Sequence, residues 1–460
     1  MKINFQILFY ALTALSAVSH AGKMTYVPDV IADKSLQDVA LSALEYSFKD
    51  QVTVADKYYF EGEFKTKIQS TLVPALVGVG QAFGQDDEAT AFTTASVINI
   101  LAPIYLRFPE LKKNATFNKI PQVIANGVKT YSRYKDGTTY NFYPPKQLEN
   151  GMIVRRPIDM QLFPIWFGFT NIPNDSDTTS AVLTSYLYDQ AVNKTKFTLD
   201  VAALDEISVH VDLNRNPMYY NRFEKRIKTG AFMTWLLNEK DKDMPRFIFA
   251  ESQAGARIPF NKNDVDCVVN ANILKLLALA KKSTPGDSSA CELLNDMIVK
   301  DENRTCGIYY PNTYNLGYSI AGAKANGSQC IKKENENILV AKLISEQTAD
   351  GSWLNANIWT DPVLSTTFAM TALLELGDMN ELSVRRAAFY GIHYLMKSAR
   401  IKDNQINWPE ENFFTATAIA RSLIMWRSKA FTNASIAAVL LRFHQMYPEY
   451  KVKNYTSLNF

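Results

Sequence analysis

Histidine is scarce in this 460-residue chain: His20, His210, His393 and His444 have no spacing that would gather two or three of them around one metal ion. No metal centre and no cofactor are expected. Charge of one sign is lacking as well. The 49 Lys and Arg residues stand against 46 Asp and Glu, a net +3, which makes neither a basic stripe for nucleic acid nor a polybasic membrane patch. The chain has no phosphate-cradling glycine loop and no Gly-x-Ser-x-Gly elbow, which excludes P-loop nucleotide chemistry and a serine-hydrolase elbow. Low-complexity tracts are missing, and beyond the N-terminus no apolar run approaches a membrane span. Cysteine is limited to Cys267, Cys291, Cys306 and Cys330, all in one short region.

What is present is apolar and aromatic: 47% of residues are hydrophobic and 12% aromatic, enough to bury a large core. Residues 1–21 read as an export signal, with Lys2, an apolar stretch from Ile3 to Val18, and Ser19-His20-Ala21 offering small residues at the cleavage positions. Residues 22–460 are then a single mature domain, secreted or periplasmic, where disulfides are permitted. Asn-x-Ser/Thr sites occur at Asn114, Asn174, Asn193, Asn303, Asn326, Asn433 and Asn454, no more than chance allows in a chain rich in these residues.

Hydrophobic periodicity divides the chain into six units, each a first helix with a polar stripe and a second helix apolar on more than one face. The second helices are expected to begin near 87, 176, 265, 312, 361 and 411, so the longer insertions fall in the N-terminal half. The fifth unit is the clearest: helix Glu336 to Glu346, the turn Gln347-Thr-Ala-Asp-Gly-Ser-Trp353, and a second helix opened by Asp361 and Pro362. In the sixth, Ala399 to Trp408 repeats the turn and Glu411 to Trp426 the second helix. In the third unit the first helix is placed around Trp235.

The Gln-x-x-x-Gly-x-Trp pattern resembles the QW motif of squalene and hopene cyclases, where it ties neighbouring helix pairs together. The resemblance implies an all-α fold, an (α/α)6 toroid of six inner and six outer helices. An open superhelical stack of the same pairs is the alternative. Alternation of the helices puts Cys267 and Cys306 at one end and Cys291 and Cys330 at the other, which predicts the disulfides Cys267–Cys306 and Cys291–Cys330.

In a toroid all second helices start at one mouth, where loops and helix dipoles collect, and the site is expected there. Asp175-Ser-Asp177-Thr-Thr179 is similar to the Asp-x-Asp-Asp-Thr-Ala motif of squalene-hopene and class II terpene cyclases. By that likeness Asp177 matches the acid that protonates an alkene or epoxide, although Thr178 replaces the neighbouring carboxylate. Protein prenyltransferases, related in fold, hold zinc through Asp, Cys and His; Asp266-Cys267 matches this only in part. Asp175, Asp177 and Asp266 are the candidate catalytic residues, and Asp264, Asn270, Tyr310, Tyr314, Trp359 and Trp408 the candidate substrate contacts. For each Asp the competing role is a helix N-cap, and for Asn270 a satisfied internal network.

Three readings of function follow. The first is acid-initiated cyclisation or isomerisation of an isoprenoid, with Tyr310, Tyr314, Trp359 and Trp408 shielding cations. The second is a glycoside hydrolase or polysaccharide lyase using Asp177 and Asp266 as acid and base. The third is a non-catalytic toroid whose rim binds a ligand or a protein partner. All three place a small-molecule or glycan ligand, or a protein, at the mouth.

Overall fold

The computed structural model describes residues 31, 34–70, 86–149, 151, 153–157, 171–214, 228–237, 263–302, 306–310, 312–355, 362–416 and 424–450. The proposed signal 1–21, Trp359 and Asp361 lie outside them. Twelve α-helices dominate the described residues: α1 (Leu36–Phe48), α2 (Ala91–Arg107), α3 (Ile120–Lys129), α4 (Ser176–Asn193), α5 (Val201–Val209), α6 (Cys267–Ala280), α7 (Asp287–Val299), α8 (Asn315–Ala325), α9 (Lys333–Glu346), α10 (Pro362–Leu376), α11 (Leu382–Lys397) and α12 (Lys429–Met446). None is long and apolar enough to cross a membrane.

The even-numbered helices are buried around most of their circumference, α10 through Val363, Phe368, Met370, Leu373 and Leu374, α4 largely through Ser and Thr side chains. They pack on one another in order, α2 on α4, α4 on α6, α6 on α8, α8 on α10 and α10 on α12, and α12 also packs on α2. The odd-numbered helices carry polar stripes and lie against them. α11, for example, buries Val384, Phe389, Ile392 and Leu395 while leaving Arg386 at the surface. α1 does not pair within its own unit; it packs along α12, and the Ile406 amide donates to Ser42 Oγ at 2.8 Å.

Side-chain caps start the buried helices. Thr90, Asp175, Asp266 and Ser428 accept from first-turn amides of α2, α4, α6 and α12. Between α9 and α10, Gln347 Nε2 donates to the Gly351 and Ala387 carbonyls, and the wholly buried Trp353 donates from its indole to Leu343 O at 2.7 Å. Gly351 has φ +90°, and a β-carbon there would stand 2.3 Å from Tyr390 O, so this turn accepts only glycine.

Two expected helices are not there. Glu411 to Trp426 contains two strands instead, which join β1 (Lys67–Ser70) and β2 (Asp86–Asp87) as β3 (Glu411–Ala416) and β4 (Ile424–Ser428) in an antiparallel sheet of order β2-β1-β4-β3. Phe413, Phe414, Ile424 and Trp426 bury equally well on a pleat as on a helix, and the partner strand β1 decided the outcome. The sixth buried helix is therefore α12. Trp235 is also extended: its amide donates to Asn263 Oδ1 at 2.9 Å, and it bridges to Asp175, while Gly230 at φ +78° breaks any helix before it. The helix that precedes α6 among the described residues is α5. The fold is thus mostly helical rather than all-α.

The four cysteines meet at disulfide distance, Cys267 with Cys306 (Cα–Cα 5.5 Å) and Cys291 with Cys330 (5.1 Å). Asn433, one of the sequon asparagines, is fully buried, with Nδ2 donating to Trp408 O and Lys429 O, and so is closed to a glycan.

Candidate functional site

The first turns of α2, α4 and α6 converge with the strand Glu411–Ala416 and with residues 306–310. Phe92 of α2 is the hub, with its ring 5.0 Å from Phe414, 6.2 Å from Phe413 and 6.3 Å from Tyr310. The Thr415 amide donates to Tyr309 O at 2.8 Å, which fixes the sheet to residues 306–310.

Asp175 is the N-cap of α4, its Oδ1 accepting from the Thr178 amide at 2.5 Å. That leaves Asp177, in the first turn of the helix, free to point inward. Its Oδ1 accepts from Asn272 Nδ2 at 2.8 Å, and its Oδ2 accepts from the Tyr310 hydroxyl. Asn272 Nδ2 also donates to the Tyr310 hydroxyl at 2.9 Å. An amide nitrogen can only donate, so Asn272 keeps Oδ1 unprotonated and directs an acid proton to Oδ2, beside Tyr310. Burial pushes Asp177 up to about 7 against the pull of these two donors, and burial with the neighbouring Asp177 pushes Asp175 up to about 8.

The other two carboxyls hold structure together. Asp266 caps α6 with Oδ1, accepting from Val268 N and Val269 N, while Oδ2 accepts from Ile308 N and Tyr309 N. With all its accepting directions filled by backbone amides it has none left for a substrate. Asp264 accepts from Thr234 Oγ1 and from the Tyr309 hydroxyl, and burial pushes it up to about 7. Asn270 exchanges hydrogen bonds with both backbone groups of Phe232 and donates to Asp266 O, a closed network.

Tyr310 reaches a cavity of about 60 Å³ whose walls include Asn272, Phe92, Phe413, Phe431 and Tyr318. A second cavity of about 140 Å³ adjoins it toward the C-terminal ends of α2, α8, α10 and α12, sharing Asn99, Asn272, Lys275, Tyr318 and Ser319 with the first. Tyr314, an expected substrate contact, lines neither cavity: it is buried, with its hydroxyl donating to Leu354 O at 3.3 Å. Trp408 is not at the opening: it is fully buried, and its indole donates to Leu395 O at 2.8 Å, holding α11 in the way Trp353 holds α9. Sequence reasoning missed Lys275, since a lysine on a helix ordinarily marks a solvent face. It also missed Asn272 as the partner of Asp177, 95 positions away.

These raised carboxyls make stability depend on pH in an unusual direction. A carboxyl whose folded pKa lies above its unfolded value adds stability that is complete below the unfolded value, near pH 4, and is lost as pH rises through the folded one. With Asp175, Asp177 and Asp264 at about 7 to 8, the urea midpoint is expected to fall between pH 5 and pH 8. The loss is on the order of several kcal/mol. Lys275, lowered by burial to about 8, works oppositely and restores part of it only above pH 8. A midpoint that rose over this interval would show that these carboxyls are already ionised.

No family model matches the sequence, and no curated protein does. Among solved structures the chain is similar to the type II terpene cyclase MstE from Scytonema. For the apo enzyme, identity is 14% with 89% of this chain and 99% of that chain covered, at TM-score 0.55. A variant of that enzyme in complex with its substrate, geranylgeranyl dihydroxybenzoate, gives 14%, 89%, 98% and 0.54, and one with its product, merosterolic acid A, gives 12%, 89%, 97% and 0.54. At such identity the likeness establishes a terpene-cyclase-like fold.

Proposed function

We propose that the chain is a secreted or periplasmic terpenoid-cyclase-like enzyme that starts cyclisation or isomerisation of a short isoprenoid by protonating it. The twelve helices are read here as an (α/α)6 toroid, a reading supported by α12 packing on both α10 and α2. The observation that carries the chemistry is Asp177: a buried carboxyl kept protonated near neutrality, its proton directed by Asn272 toward Tyr310, which faces an aromatic-walled cavity. In this mechanism the Tyr310 hydroxyl gives its proton to the alkene as it takes the one from Asp177 Oδ2. The resulting cation lies among the rings of Phe92, Phe413 and Tyr318.

Cavity volume selects the substrate. A cavity of about 150 Å³ holds benzene, so the adjoining spaces of about 60 and 140 Å³ suit a short isoprenoid rather than a long one. The carbohydrate reading loses its second carboxylate, because both oxygens of Asp266 are occupied by amides. The two cysteine pairs are consistent with an oxidising compartment.

The test is incubation of purified protein with linalool, geraniol and geranylgeraniol, followed by gas chromatography of the products. Conversion of the short substrates is expected, with Asp177→Asn and Tyr310→Phe each losing about 10²-fold or more. Activity that survives Asp177→Asn would end the proposal. Activity that survives only in Tyr310→Phe would remove the relay and leave Asp177 acting directly.

A further inference from the structure

Lys275 stands on α6 one turn beyond Asn272, and its side chain lies in the wall shared by the two cavities. Protein surrounds it on every side, yet part of its surface remains open to the cavity space. Among the described residues the amine has no hydrogen-bond or ion-pair partner; it stands over the Tyr188 ring, with Nζ 5.7 Å from the centroid. Its stem runs past Gly322 of α8, where a β-carbon would come within 3.8 Å of Lys275 Cδ and 4.0 Å of Nζ. A larger residue at 322 would fill the space in front of the amine.

The remaining charges on the wall of the second cavity do not compensate it. Glu375 is shared between Arg107 and Arg442, so two cations already stand on one carboxylate, and Lys275 adds a third positive charge. Burial lowers the amine to about 8, with no nearby carboxylate offsetting it. A cation held without a counter-charge in a mostly apolar enclosure is costly, and a ligand that brings a negative charge recovers that cost. Apolar side chains of Ile100, Ile104, Leu374 and Val439 form the rest of the wall.

We propose that the second cavity is a binding site for a small organic acid with an apolar tail, whose carboxylate sits on the Lys275 amine and whose tail lies toward Leu374 and Val439. The site does not rest on acid chemistry at Asp177, and its readout is binding alone. Asn99 and Ser319 stand beside the amine's cavity with groups able to donate to the second carboxylate oxygen.

Calorimetric titration of the intact, disulfide-bonded protein with hexanoate and with hexan-1-ol tests this. Hexanoate is expected to bind at least about tenfold more tightly than the alcohol, the yield of one buried charge-assisted hydrogen bond. Lys275→Met is expected to remove that preference while leaving the alcohol's affinity in place, and to raise the ligand-free melting temperature, because it deletes an uncompensated charge. Gly322→Leu, on a different helix, is expected to weaken both ligands with the charge intact. Equal affinity for hexanoate and hexan-1-ol in the native protein overturns the proposal. So does unchanged hexanoate affinity in Lys275→Met or in Gly322→Leu.

Discussion

Asp266→Ala is expected to lower the unfolding free energy by roughly 4–8 kcal/mol, since each buried donor left without an acceptor costs about 1–3 kcal/mol. Four amides lose their acceptor together: Val268 and Val269 in the first turn of α6, and Ile308 and Tyr309 in the segment beyond α7. Total domain stability is typically about 5–15 kcal/mol, so the variant should be near the limit of folding. Asp266→Asn keeps the shape but replaces one acceptor oxygen with a donor that faces two amides, and should fall between. Urea denaturation followed by circular dichroism at pH 5 measures both. A loss below about 1 kcal/mol for Asp266→Ala would mean the carboxylate serves as an ordinary exposed cap. Asp266→Ala also frees Tyr309 and with it Tyr310, so the proposed proton transfer should suffer even in the folded fraction.

Trp353→Ala is expected to cost about 5 kcal/mol. Removal of a wholly buried Trp side chain typically costs about 3–5 kcal/mol, and here it also strands the Leu343 carbonyl that the indole satisfies. The ring fits against Gly391 of α11, where an added β-carbon would lie 2.9 Å from Trp353 Cζ3, so no neighbour can move in without a shift of the helix. Trp353→Phe should recover a large part of the packing and none of the hydrogen bond. Thermal melts of the two variants side by side separate these contributions; near-equal melting temperatures would assign the whole effect to the indole N–H.

Much of this architecture is visible in the one-dimensional pattern. Buried helices expected near 176, 265, 312 and 361 start at Ser176, Cys267, Asn315 and Pro362, because a helix apolar on most sides, preceded by an acid or a proline, leaves an unambiguous local signal. The misreading at 411–426 came from a segment whose apolar residues satisfy either period, and whose strand partner Lys67–Ser70 lies at the far end of the chain. Asp177 was singled out by the likeness of Asp175 to Thr179 to the cyclase acid motif, with helix capping as the competing role. Its partners were not visible: Tyr310 is 133 positions away and Asn272 is 95, and nothing local marks either as facing it. Lys275 was hidden for the opposite reason, as its local context is commonplace and only the surrounding helices make it an enclosed cation.

The packing of α1 along α12 has a consequence for how the protein is made. Ser42 and Ile406 are 364 positions apart, so the apolar side of α1 emerges from the ribosome long before the helix that covers it has been translated. Closure over so long a stretch of chain is entropically unfavourable until intervening units have formed. During synthesis α1 therefore depends on a chaperone or on transient burial, and a nascent chain stalled before Lys429 should remain a substrate for proteases at its N-terminal end.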